Sequence, residues 1–290
     1  MFDVKNKKPR GIKHEIREEK KREQRIGLAV TAAILVIVIS VSGFLIKSMP
    51  NQPSTNQTTS NTSQPKAAIV DHLSLTCPNQ TFIQTATSTL KQAGYTVDYY
   101  PGEKVNVEFY RNLPTHYYAL IILRVHSGLQ VGDDPPVVFF TSEPYSKTKY
   151  ICEQLTDQVW EGQLGTGFIE GQTYFGISPE FVEKGMSGRF EDATIVMMGC
   201  NGLTYTDMAE AFIQRGAKVY ISWSESVLAG HTDQATTQLL KHLLTEKQMI
   251  EQAVTETMKE VGPDPAYKSL LGYYPLEVGE QTIENIKNNG

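Results

Sequence analysis

Two short apolar runs, each ending in one reactive side chain, constrain the fold more than any other feature of the sequence. Residues 193–202 read Ala-Thr-Ile-Val-Met-Met-Gly-Cys-Asn-Gly, and residues 118–128 read Tyr-Ala-Leu-Ile-Ile-Leu-Arg-Val-His-Ser-Gly. Apolar runs of this length, with β-branched residues and a closing glycine, are typical of strands covered on both faces, which occur in parallel sheets. The sequence therefore predicts a core built on a parallel sheet.

The segments around these two runs alternate between strand and helix patterns. Further strands are predicted over residues 67–73, 95–100 and 218–223, and helices over residues 78–93, 105–113, 206–215, 232–244 and 247–261. The insertion between the two runs, residues 129–192, has the pattern of strands and loops, with a strand at 137–140 and hairpins across 160–177. Strands interleaved with helices indicate right-handed crossovers, so we expect an α/β fold with a doubly wound, mostly parallel sheet.

His126 and Cys200 follow the two apolar runs directly. In open α/β sheets functional groups gather beyond the carboxyl ends of the strands, and neighbouring strands lie about 4.8 Å apart. If the two strands are neighbours, an imidazole and a thiol can meet there. Because a free thiol has a pKa near 8.5, it needs a nearby base or helix N-terminus to ionise at neutral pH. We predict Cys200 as a nucleophile and His126 as its base; the alternative is an inert cysteine at the end of a core strand.

The order of these features resembles that of the caspase-like (clan CD) cysteine peptidases, which include caspases, legumain, clostripain, gingipains, separase and CHAT domains. An apolar strand leads into His126 and a glycine, and a later apolar strand leads into Cys200. The surroundings of Cys200 are most similar to the separase and CHAT versions, and the resemblance covers roughly residues 66–262. It implies a three-layer αβα fold and an oxyanion hole built from the backbone N–H groups of Ser127, Gly128 and Cys200. One departure is Ser127, which stands between His126 and Gly128, where the family has histidine and glycine in sequence.

The resemblance also implies a place for substrate recognition. In the family, the segment after the fifth strand lines the pocket for the residue that precedes the scissile bond. Here that segment carries Glu225 and Asp233, with no Lys or Arg between Lys218 and Lys241. A carboxylate in the pocket would bind a substrate guanidinium and repel an acidic residue. We therefore expect cleavage after basic residues, with Glu225 as the leading pocket carboxylate and Asp233 as the second; the alternative for Asp233 is a favourable contact with the dipole of the following helix.

The N-terminal region has the pattern of a membrane anchor. Residues 1–25 hold ten Lys or Arg and five Asp or Glu, and Ile26 to Ile46 is an uncharged, mostly apolar run. A helix of that length is about 31 Å long, which matches a bilayer core. The basic flank predicts a cytoplasmic N-terminus and an extracellular remainder. We expect a cytoplasmic tail (1–25), a transmembrane helix (26–46), a flexible polar linker (47–65) and one α/β domain (66–290) in a single-pass cell-membrane protein.

These features predict a membrane-anchored, outward-facing cysteine endopeptidase acting on a peptide or protein. Two alternatives stay open: a caspase-like module that binds a ligand or protein without turnover, and a small-molecule binder whose cysteine is structural. We expect no metal, because the six histidines are scattered and the three cysteines form no Cys-x-x-Cys. No cofactor is expected. Nucleic-acid binding is not expected either, since the basic tail is interspersed with acids and lacks aromatic residues other than Phe2. Cys200 is expected to be free, with Cys77 and Cys152 either paired or buried separately.

Overall fold

The computed structural model describes residues 64–130, 135–163 and 171–288. The predicted cytoplasmic tail, the predicted transmembrane helix and all but the last two residues of the predicted linker lie outside these ranges. Within the described ranges, no helix is both long enough and apolar enough to cross a membrane.

In the part of the chain that the structure describes, ten strands form two sheets. In chain order the strands are β1 Lys66–Asp71, β2 Thr96–Pro101, β3 Tyr118–Arg124, β4 Ser127–Leu129, β5 Val137–Pro144, β6 Val159–Gln163, β7 Thr173–Ile177, β8 Thr194–Met197, β9 Val219–Trp223 and β10 Leu271–Tyr274. The central sheet has the order β10-β9-β8-β3-β1-β2, and the smaller sheet has the order β4-β5-β7-β6. Every pair in the central sheet is parallel except β10 with β9. The prediction of an α/β fold with a mostly parallel sheet is confirmed.

Helices cover both faces of the central sheet. They are α1 Gln80–Gln92, α2 Val107–Asn112, α3 Ile151–Leu155, α4 Asp207–Gln214, α5 Ala229–Leu240, α6 Ile250–Val261 and α7 Ile283–Asn288. Apolar residues of α1, α5, α6 and α7 pack on one face. Those of α2 and α4 pack on the other face, together with inward residues of the smaller sheet.

The alternation of side chains along the central strands explains why both faces need cover. In β1, Ala68 and Val70 point to the face of α2 and α4, whereas Ala67 and Ile69 point to the face of α1 and α5. Successive residues of a strand point to opposite sides, so a continuous apolar run leaves no face for solvent. The hydrophobic core therefore lies on both sides of the sheet.

The largest difference from prediction lies at the C-terminal end of the domain. No strand is predicted after residue 223, but Leu271–Tyr274 add an antiparallel edge strand beside β9. The predicted helix over 232–244 begins earlier, at Ala229, and its last turn widens into a π-helix at Lys241–Thr245. In the insertion, β6 and β7 form the predicted antiparallel hairpin.

Candidate active site

The strands that carry His126 and Cys200 are neighbours in the central sheet. β3 and β8 pair in parallel with Leu123 opposite Met197, and each of the two candidate residues follows three positions after that pair. Beyond the strands, the Ser127 hydroxyl donates to the Cys200 carbonyl at 2.6 Å. The fold thus brings the two predicted residues to adjacent strand ends, and the side chain of Ser127 ties one end to the other.

Glycine at position 199 permits this close approach. A Cβ there would overlap the Ser127 hydroxyl and the Val125 carbonyl oxygen. A larger residue would push the chain before Cys200 away from the chain that carries His126. Asn201, which follows the cysteine, has a left-handed backbone with φ of 63°, a conformation that asparagine adopts more readily than most residues.

The thiol of Cys200 is half-buried beneath the loop that follows β9. The Val227 N–H donates to Sγ at 3.5 Å, and the Val227 carbonyl oxygen lies 3.7 Å from the same sulfur. The amide of Asn201 donates to the Glu225 carbonyl at 2.9 Å. The loop of residues 224–227 therefore forms one wall around the sulfur.

His126 is held from two sides. Its Nε2 lies 2.9 Å from Oγ1 of Thr76, and its ring meets the ring of buried His72 edge-on, with 5.7 Å between centroids. Burial, together with the positive charge of Arg124, lowers the pKa of His126 to about 4. Burial and the neighbouring His126 lower the pKa of His72 to about 3. Both imidazoles are therefore neutral at pH 7, and a neutral imidazole can accept a proton.

A buried ion cluster that no sequence pattern predicted lies directly before His126. Arg124, fully buried at the end of β3, pairs with Asp71 at 2.7 Å and with Asp233 at 2.7 Å. Its Nη2 also donates to the Cys77 carbonyl at 2.7 Å. Although burial disfavours the charged guanidinium, the hydrogen bonds and charges of the two aspartates outweigh that effect and raise the pKa of Arg124. The cluster fastens the ends of β1 and β3 to α5.

The two predicted pocket carboxylates differ in their surroundings. Glu225 is exposed on the loop that contacts the cysteine, and its backbone N–H donates to the Ser269 hydroxyl at 2.9 Å. Asp233 is buried, and its oxygens accept from Arg124 and from the Asn79 side chain. The carboxylate of Asp233 is thus neutralised inside the domain and is not available to a substrate cation. Of the predicted pair, only Glu225 has an exposed side chain.

The backbone amide of Gly128 belongs to the smaller sheet. Ser127 and Gly128 pair with β5 in antiparallel register. Hydrogen-bonded and non-hydrogen-bonded pairs alternate along such a ladder. The N–H of Phe140 donates to the His126 carbonyl at 2.9 Å, which makes His126 and Phe140 a hydrogen-bonded pair. Gly128 therefore falls in a hydrogen-bonded pair, whereas the Ser127 amide faces away from β5. Among the three amides predicted to hold an oxyanion, those of Ser127 and Cys200 remain candidates.

The three cysteines are all free thiols. Cys77 and Cys152 are exposed and unpaired, so the expectation that they pair or lie buried separately is wrong. The reason is their placement: Cys77 follows the turn after β1, and Cys152 lies on α3, whose residues are not buried. Cys200 is unpaired, as a nucleophile must be.

Within the described residues, no group of three or more His, Cys, Asp and Glu side chains could hold a metal ion. Comparisons of the chain with protein-family models and with curated protein sequences give no match.

Proposed function

We propose that the chain is a membrane-anchored, outward-facing cysteine endopeptidase with a caspase-like, doubly wound domain. The observation that carries the proposal is the pairing of β3 with β8, because it sets the ends that bear His126 and Cys200 side by side. The half-buried His126 imidazole is neutral at pH 7, which is the protonation state that a base requires, but its lowered pKa makes it a weaker base than a free histidine. The membrane anchor rests on the uncharged run from Ile26 to Ile46 and its basic flank.

The proposed reaction uses the dyad as acid and base in turn. His126 takes the Sγ proton of Cys200, and the thiolate attacks the carbonyl carbon of the scissile peptide. The carbonyl oxygen becomes an oxyanion, which the amides of Ser127 and Cys200 would stabilise. The imidazolium then gives its proton to the leaving amine as the C–N bond breaks. Water, deprotonated by His126, finally hydrolyses the thioester and restores the thiol.

Alkylation kinetics test the dyad without knowledge of the substrate. We expect Cys200 to react with iodoacetamide at pH 7 faster than Cys77 and Cys152 do, although it is less exposed than either. An isolated thiol with a pKa near 8.5 is only a few per cent ionised at this pH, so a dyad thiolate could gain up to about thirtyfold in rate. Residue-resolved mass spectrometry of the full chain measures the three rates in one sample.

His126→Ala should slow the alkylation of Cys200 about tenfold or more and leave the two exposed cysteines unchanged. His116→Ala serves as the matched control, since His116 packs against Tyr118 at the start of β3, whereas His126 follows the carboxyl end of that strand. The peptidase proposal would fail if Cys200 reacted more slowly than Cys77 and Cys152 and if His126→Ala left the rate of Cys200 unchanged.

For specificity, we propose cleavage after Arg or Lys, with Glu225 as the pocket carboxylate. An exposed acid on the wall beside Cys200 offers a charge-assisted bond to a substrate cation. In a peptide panel that varies only the residue before the scissile bond, we expect Arg and Lys to exceed Leu and Asp by about tenfold or more in kcat/KM. Glu225→Gln should remove most of that preference, whereas Glu277→Gln, a change in the turn after β10, should not. A preference for Asp or Leu would refute the assignment.

A second candidate function, a caspase-like binding module without turnover, is favoured by one contact. The Val227 carbonyl oxygen lies 3.7 Å from Sγ of Cys200. A protonated thiol can donate to that oxygen, whereas a thiolate would be repelled by it. The alkylation experiment separates the two functions, because the module predicts no dependence on His126.

A further inference from the structure

We propose that Ser127 is a positioning residue of the dyad: its side-chain hydroxyl holds the backbone of Cys200 in a fixed orientation relative to His126. The inference rests on the proposed function, since it assigns a further role within the same site. The contact that carries it is the hydrogen bond that Ser127 Oγ donates to the Cys200 carbonyl oxygen at 2.6 Å. That length lies near the short end of the range for O–H···O bonds.

The peptide that joins Cys200 to Asn201 is held from both sides. Its carbonyl accepts from Ser127, and its N–H donates to the Glu225 carbonyl at 2.9 Å. The C=O and N–H of a trans peptide point in opposite directions within one plane, so the two bonds fix that plane between the β3–β4 connection and the loop of residues 224–227. Because the plane adjoins the α-carbon of Cys200, its orientation helps to set where the thiol points.

The Ser127 hydroxyl is closely confined. It lies directly against Gly199, where a Cβ would overlap it. The residue is half-buried and lies opposite Phe139 in the β4–β5 ladder. Since Ser127 follows His126 directly in the chain, a single side chain links the backbone of the candidate base to the backbone of the candidate nucleophile.

Ser127 is also the position at which the sequence departs from the histidine–glycine pattern of the caspase-like peptidases. A glycine there would offer the same backbone N–H without a hydroxyl. The serine is therefore either a positioning residue, whose loss slows the reactions of Cys200, or a replacement for glycine without effect at the site. Ser127→Ala separates the two accounts, because alanine keeps the backbone amide and removes only the side-chain oxygen.

Iodoacetamide alkylation of the full chain at pH 7, followed by residue-resolved mass spectrometry, tests the role of the hydroxyl. We expect Ser127→Ala and Ser127→Gly each to slow the alkylation of Cys200 about threefold to tenfold, the factor that corresponds to one hydrogen bond. The matched control is Ser142→Ala on β5, because Ser142 is also half-buried and its hydroxyl donates to the Val105 carbonyl at 3.1 Å. This change should leave the rate within about twofold of wild type, as expected for independent sites.

Combining Ser127→Ala with His126→Ala distinguishes positioning from a general effect on the thiol. If the hydroxyl acts by setting Cys200 against His126, Ser127→Ala should change the rate by less than about twofold once residue 126 is alanine. Equal slowing in both backgrounds would overturn the inference, because a loss of folding or a change in exposure acts without His126. An unchanged rate in both Ser127 variants would also overturn it, and Ser127→Gly decides the question if the alanine variant does not fold.

The same experiment tells the failure of the inference from the failure of the proposed function. If His126→Ala alone leaves the alkylation of Cys200 unchanged, the peptidase proposal fails and the inference fails with it. If His126→Ala slows the alkylation and the two Ser127 variants do not, only the inference fails.

Discussion

Arg124→Met should destabilise the domain by about 3–5 kcal/mol, because the substitution leaves two buried carboxylates without their cation. Asp71 and Asp233 have side chains that are 1% and 5% exposed, and both pair with this one guanidinium. Methionine fills a similar volume, so the loss would come from unpaired charge rather than from a cavity. Urea unfolding followed by far-UV circular dichroism, with wild type in parallel, measures the difference in the free energy of unfolding.

Two further variants separate the effect of the unpaired carboxylates from the general effect of replacing an arginine. Arg189→Met removes an exposed arginine with a single hydrogen bond to a backbone carbonyl, and it should cost no more than about 0.5 kcal/mol. Adding Asp71→Asn and Asp233→Asn to Arg124→Met should recover part of the loss, since the stranded charges are then gone. A stability of Arg124→Met equal to that of Arg189→Met would contradict the account of the buried cluster.

The domain should also lose stability as the pH falls from about 6.5 towards 4. His72 and His126 have pKa values lowered to about 3 and about 4, mainly by burial, whereas an unfolded histidine titrates near 6.5. Below pH 6.5 the unfolded chain therefore binds more protons than the folded one, and stability falls with pH. Between pH 6.5 and 5 the expected loss is about 2 kcal/mol from His72 and less from the half-buried His126.

Unfolding midpoints in urea at pH 6.5 and 5 measure this loss, in a range above the titration of most carboxylates. His72→Phe should flatten the dependence, because phenylalanine has no proton to bind. His116→Gln should leave the slope unchanged. A wild-type domain equally stable at both pH values would show that His72 and His126 are not held neutral in the folded state.

The sequence predicted the elements that follow from local patterns. The apolar runs before His126 and Cys200 form buried strands, and their alternation with amphipathic helices indicated the parallel sheet. Residues with partners close in sequence, such as those of the β6–β7 hairpin, were also predictable from spacing and glycines.

The missed features depend on partners that are far apart in sequence. Arg124 interrupts an apolar run, and its two carboxylates lie 53 and 109 positions away along the chain, so no periodicity could link them. A charge inside a buried strand was nevertheless a usable signal, since a buried arginine requires a partner. Thr76 gave no such signal, because a threonine in a turn is ordinary. The burial of Asp233 follows from the cluster and was for that reason equally hidden.

The antiparallel strand β10 determines where a recombinant domain can safely end. A fragment that stopped at residue 262, the limit of the family resemblance, would lack this strand and expose the full edge of β9. Unpaired strand edges recruit other chains and promote aggregation. The cut would also remove Leu270, whose carbonyl accepts from Ser224 N at 2.9 Å, and so would release the loop over Cys200 from its support. Residues 263–274 must therefore stay attached, both for soluble expression and for an intact loop over Cys200.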